Sequence, residues 1–165
     1  MSENKKSIDG WHPVIFFGKK NLNGRVYTED SINEEAMTNM KKKINDKTAY
    51  GELGHAESSI EVHMNNISHA IEDVVVKNDI MFAKIKSIST LAGDKLKVLT
   101  ELDSESIVFR PRTIGNVNED GIVSIKKLIS FDAVNAMDDS FKEMQDMYND
   151  MLRDDLGRDT KYKPE

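Results

Sequence analysis

Tyr50-Gly51-Glu52-Leu53-Gly54-His55 sets a carboxylate and an imidazole three residues apart in a segment punctuated by two glycines. Glycine lets the backbone turn sharply, so both side chains can be brought to one place, and a histidine beside a carboxylate is the raw material of a general base. A second segment, Arg110-Pro111-Arg112-Thr113-Ile114-Gly115, carries two arginines and no hydroxyl until Thr113. What these two segments do together decides the reading of the chain.

Outward from the first segment, the hydrophobic pattern switches between strand and helix periods. Upstream, Trp11 to Phe17 is aromatic and β-branched between Gly10 and Gly18, a strand with Pro13 near its start. A turn at Asn21-Leu22-Asn23-Gly24 follows. Ser31-Ile32-Asn33-Glu34 then has a capping-box pattern, and Ile32, Ala36, Met37, Met40 and Ile44 recur at helical spacing, which predicts a helix over 31–45. Downstream, 67–76 and 80–88 read as strands joined through Lys77-Asn78-Asp79. A short helix is expected after Gly93-Asp94, with Leu96, Leu99 and Leu102 on one face. Strands over 107–117 and 122–134 flank Asn118-Glu119-Asp120-Gly121, a hairpin turn with glycine at its last position. The pattern is that of a β-rich α+β domain.

From Asp138 onward, Phe141, Met144, Tyr148, Met151 or Leu152, and Leu156 recur at three- and four-residue steps among charged residues, predicting an amphipathic helix over 137–157. Two roles fit it: packing on its own domain, or docking on a partner or a second copy. The polar stretch 158–165 is expected to be a flexible tail.

Composition narrows the classes. With 165 residues, 38% of them hydrophobic, the chain fits one domain with a buried core. A net charge of −6 argues against binding nucleic acid through overall charge, and no apolar run approaches membrane-spanning length. The absence of cysteine excludes disulfides and thiolate chemistry and suits a reducing compartment. Protein partners are therefore expected, without nucleic acid, membrane or cofactor.

The order of several short motifs carries a resemblance. Asn21-Leu22-Asn23-Gly24-Arg25-Val26-Tyr27 ahead of a helix, then Gly51 to His55, Ser68-His69, and Thr90-Leu91-Ala92-Gly93-Asp94-Lys95-Leu96 is similar to the motif order of the prohead maturation proteases of tailed bacteriophages, T4-like prohead core proteases among them. Arg112-Thr113-Ile114-Gly115-Asn116-Val117 resembles that family's arginine-glycine segment, and Phe131-Asp132-Ala133-Val134 its terminal acidic strand. The likeness spans about residues 14–136, so residues 1–136 are expected to form the protease-like domain. It implies a small β-barrel-like domain with flanking helices, related to the herpesvirus assembly proteases. It also implies work on scaffold and capsid proteins in the host cytoplasm or the virion, with phage structural proteins as partners; the pattern of the C-terminal helix adds self-association as an expectation.

Carried over by position, the resemblance makes His55 the general base and Asp132 the acid that orients it. The serine nucleophile falls on Arg110 or Pro111, and Arg112 with Thr113 lies in the oxyanion region. Thr113 replaces a glycine and Ala56 a proline of the family pattern. A serine protease needs a hydroxyl within reach of its base, and neither guanidinium nor proline supplies one. Loss of a triad nucleophile removes on the order of a millionfold of rate in a well-studied protease.

The expectation is thus a protease-like protein without catalysis, a pseudo-enzyme serving phage assembly. One alternative is an active serine or threonine endopeptidase using Ser104, Ser106 or Thr113. Another is a metal-dependent hydrolase built on Glu52, His55, His63 and His69, although their spacing is poor for zinc. In the vacated site, Arg110 is expected to pair with Glu52 or Asp132. The blander readings are that His12 packs in its strand, Lys41-Lys42-Lys43 is a solvated helix end, and Asn21 to Tyr27 is a turn held on the core.

Overall fold

The computed structural model describes residues 8–20, 24–54, 62–103 and 107–135. The calls on the 137–157 helix, the 158–165 tail, Asn21 to Asn23, His55, Ala56, Ser104 and Ser106 lie outside these residues.

Strand β1 (Gly10–Phe16) comes first, followed by a 3-10 turn at Glu29–Ser31, helix α1 (Glu34–Asn45) and the short strand β2 (Tyr50–Glu52). A second 3-10 turn, Met64–Asn66, leads into β3 (Ile67–Lys77), β4 (Ile80–Ser87), helix α2 (Leu91–Leu102), β5 (Ile107–Val117) and β6 (Val123–Asn135). The α+β class holds.

The β3–β4 turn is of the mirror-image hairpin kind, with Asn78 at φ 53° and Asp79 at φ 66°, and both residue types tolerate that region. In the β5–β6 turn, the Asn118 side chain accepts from the amides of Asp120 and Ile122, and Gly121 adopts φ +84°. Helix α1 starts later than predicted. Thr28 and Ser31 close a capping box around the 3-10 turn, and Asn33 caps α1 by accepting from the Ala36 amide at 2.7 Å. Thr90 caps α2 in the same way through the Gly93 amide, while its hydroxyl donates to the Ile67 carbonyl and ties the helix start to β3. A Cβ on Gly93 would lie 1.7 Å from the Ile88 carbonyl oxygen, so this position has no room for a side chain. The face of α2 that packs inward is Ala92, Gly93, Leu96 and Thr100; Leu99 and Leu102 point outward, unlike the predicted stripe.

The strands form an antiparallel sheet in the order β1-β4-β3-β2 and a separate β5-β6 ribbon. This corrects the β-barrel-like expectation: among the described residues neither sheet closes, and β1 and β2 remain open edges. The reason lies in β2. It is three residues long and shifts register between Gly51 and Glu52, and among the described residues the backbone pairs with the ribbon here at a single parallel bridge, from Leu53 just beyond β2 to Ala133. One bridge with the Gly54 amide donating to the Ala133 carbonyl is a joint, and it is too short to be a ladder.

Side chains fill the space between sheet and ribbon. Val14, Ile15, Ile71, Val74, Met81, Ala83 and Ile85 from the sheet meet Phe109, Leu128, Phe131 and Ala133 from the ribbon, with Met40 of α1 and Leu96 of α2 closing the core. The segment before α1 is laid against the ribbon by backbone bonds, the Val26 amide to the Gly121 carbonyl and the Val123 amide to the Val26 carbonyl. Tyr27 packs on the core, as the turn reading of that segment expected.

Candidate functional site

Where β2 meets β6, alternation along β6 turns Phe131 and Ala133 into the apolar core and places Ser130 and Asp132 on the opposite face. Arg112 stands opposite Ser130 in the ladder, on that same polar face. Its guanidinium donates from Nε to Asp132 Oδ2 at 2.9 Å and from Nη2 to Asp132 Oδ1 at 3.1 Å, and Nη2 also reaches Glu52 Oε2 at 2.8 Å. Glu52, Arg112 and Asp132 are all buried.

The carboxylates are satisfied from other sides as well. Asp132 Oδ1 accepts from the Glu52 amide at 3.0 Å and the Ser130 hydroxyl at 2.9 Å. Glu52 Oε2 accepts from the His63 amide at 2.7 Å, and Oε1 from Asn66 Nδ2 at 3.1 Å. Burial alone would raise the Glu52 pKa. Hydrogen bonds from Arg112, the His63 amide and Asn66, with the Arg112 charge, outweigh it and hold the carboxyl below its ordinary value.

A second buried unit lies beside the first. His69 on β3 has Nε2 2.7 Å from the Phe131 carbonyl oxygen and Nδ1 2.8 Å from Ser68 Oγ. A carbonyl only accepts, so Nε2 carries the proton and Nδ1 accepts from the Ser68 hydroxyl. Burial pushes the His69 pKa down to about 4, against the opposing pull of the Phe131 carbonyl and the Asp132 charge. His69 also meets the Phe109 ring edge-on at 4.9 Å, and His12 meets the same ring at 4.7 Å. Gly51 sits under this bond: a Cβ there would fall 2.1 Å from His69 Nε2 and 2.4 Å from the Phe131 oxygen. Glycine is needed at 51 because another residue's hydrogen bond occupies its side-chain space.

The sequence candidates are thus partly gathered. Glu52, Arg112 and Asp132 meet in one cluster. Pro111 lies opposite Phe131 in the ladder, and Arg110 opposite Asp132. Arg112 pairs with both carboxylates, and Arg110 lies close enough to Tyr27 for its charge to act on the phenol. Thr113 follows a register shift and is half-buried. His63 is exposed and donates its backbone amide to Glu52, whereas both ring nitrogens of His69 are engaged by Phe131 and Ser68. Among the described residues no three His, Cys, Asp or Glu side chains group as a metal site.

Sequence reasoning missed Asn66, Ser130 and the inward role of the Arg112 side chain. For Ser130 a signal existed, since Ser130-Phe131-Asp132 alternates polar and apolar like a strand with a polar inner face. Nothing local marks Asn66, whose partners lie across a chain reversal.

No protein-family model matches the sequence, and no curated protein matches it. No helix among the described residues is long and apolar enough to cross a membrane. Among solved structures, the fold is similar to that of the bacteriophage T4 capsid assembly protease, gp21, with a TM-score of 0.64 and 25% identity over 75% of this chain and 79% of that one. The chain is a distant structural homologue of that phage protease and carries a prohead-protease-like fold.

Proposed function

We propose that this protein is a prohead-protease-like component of phage assembly that binds structural or scaffold proteins without cleaving them. The observation that carries this reading is the engagement of Asp132. The acid expected to orient the His55 imidazole has both oxygens taken by the Arg112 guanidinium, and Oδ1 accepts from two further donors. Paired with a buried arginine in this way, Asp132 serves on this reading to hold β2, β5 and β6 together. The positions aligned with the nucleophile, Arg110 and Pro111, offer no hydroxyl. Among the described residues, the Ser130 hydroxyl donates to Asp132, and the Ser68 hydroxyl, which donates to His69, is fully buried with it, away from any substrate. The similarity to a capsid assembly protease supports the assembly setting. The pocket residues are retained, on this reading, because their network joins β2 to β6.

The test is incubation of the purified chain with itself and with phage scaffold and capsid proteins, beside a His55→Ala variant, with products read by intact mass. No cleavage is expected from either protein. Cleavage by the parent that disappears in His55→Ala establishes the alternative, an active serine or threonine endopeptidase whose hydroxyl lies elsewhere, such as Thr113.

A further inference from the structure

Helix α2 has two apolar faces. At about 100° per residue, Ala92, Gly93, Leu96 and Thr100 form the inner face, and Leu91, Val98 and Leu102 fall within about 40° of one another on the other side. Those three outer residues are 90%, 55% and 77% exposed, and Leu99 beside them 37%. Met64, in the 3-10 turn that touches α2, is 83% exposed. A helix apolar on opposite sides is one that is covered on both. A stripe of this kind is also larger than the scattered apolar residues normal to a protein surface.

We propose that this outer face is covered by the chain's own segment 138–157, packed antiparallel to α2. Three observations point to this occupant. The first is position. Asn135, the end of β6, pairs with Ile107, and Ile107 follows the α2 cap residue Asp103 by four residues, a span of at most about 14 Å. The chain therefore leaves β6 close to the C-terminal end of α2. The second is length. As a helix, 138–157 extends about 30 Å, enough to run the roughly 18 Å of α2 and reach Met64. Placing Phe141 beside Leu102 brings Leu152 beside Leu91, because both pairs are separated by the same eleven residues along their helices.

The third is pattern. In the sequence Phe141, Met144, Tyr148, Leu152 and Leu156 recur at the spacing of a matching apolar stripe. The contact would bury apolar surface on both helices and stands apart from the chemistry of the Glu52–Arg112–Asp132 cluster.

The absence of cysteine makes the test direct. In the full chain, the pair Leu91→Cys with Leu152→Cys, and the pair Leu102→Cys with Phe141→Cys, are expected to form disulfides within one molecule at micromolar concentration. The control pair Lys41→Cys with Leu152→Cys is expected to stay reduced. Disulfides found only between two molecules would assign the face to a second copy and overturn the proposal, as would equal crosslinking in the control. In the cysteine-free chain, Tyr148→Asp with Leu152→Asp is expected to speed deuterium exchange in 91–102 at least several-fold. Unchanged exchange there would also overturn it.

Discussion

Arg112 and Asp132 meet diagonally across the β5–β6 ladder, two guanidinium nitrogens to two carboxylate oxygens at 2.9 and 3.1 Å, while the Glu52 backbone amide on β2 donates to the same Asp132. That pair lies within the ribbon, and the Glu52 amide together with the Arg112–Glu52 pair ties it to the edge of the four-stranded sheet, where the backbone provides a single bridge.

Removing the arginine leaves two buried carboxylates facing each other. Arg112→Ala should cost about 3–5 kcal/mol in urea unfolding, the usual result of stranding one side of a buried pair. Arg112→Lys should recover part of it, because an ammonium keeps the charge and loses the bidentate geometry. A loss below about 1 kcal/mol for Arg112→Ala would mean that the network does not hold the two layers together.

Gly51 should not accept a methyl group. Gly51→Ala places a Cβ within 2.4 Å of the Phe131 carbonyl and 2.1 Å of His69 Nε2, and a backbone atom cannot step aside cheaply. A loss of about 2 kcal/mol or more in thermal unfolding is expected. Gly54→Ala, at φ +84° with nothing within 4 Å of the new Cβ, should cost only about 1 kcal/mol of backbone strain.

Stability should fall in acid in two stages. The pKa of His69 is about 4 when folded, below its ordinary 6.5, so the unfolded chain takes up the proton first. The His69 contribution is complete above pH 6.5 and is lost as pH falls toward 4, by about 3 kcal/mol if the full shift is expressed. Glu52, also depressed, adds a loss as pH falls below the ordinary carboxylate range. Urea unfolding from pH 8 to 4 should show this slope, and His69→Gln should flatten its upper part.

Thr90→Ala removes the cap of α2 and its bond to the Ile67 carbonyl together. About 1–2 kcal/mol should be lost. Thr90→Ser should restore most of that, since the hydroxyl makes both bonds.

Local chemistry made much of the fold legible. The β3–β4 and β5–β6 hairpins follow from alternation and from turn residues such as Asn78 and Gly121, which take the conformations those turns require. Boundaries were less legible. Thr28 and Ser31 make a capping box whose cap lies five residues ahead of the α1 cap Asn33, so two start signals compete within one short segment.

Within the candidate site, Gly51, Glu52, Arg112 and Asp132 stand out in the sequence. Their roles do not. Whether Arg110 or Arg112 turns toward the carboxylates depends on the ladder register and on which layer approaches that face. Glycine at 51 is required by a bond between His69 and Phe131, neither of which is its neighbour in the chain. The sequence by itself determined the long strands, the two helices and the hairpin turns, because periodicity and backbone preference act over a few residues, while the three-residue β2 was read as a turn. Only the tertiary structure decided that the sheets stay open and that Asp132 belongs to Arg112, because burial and hydrogen-bond partners come from segments as much as eighty residues apart.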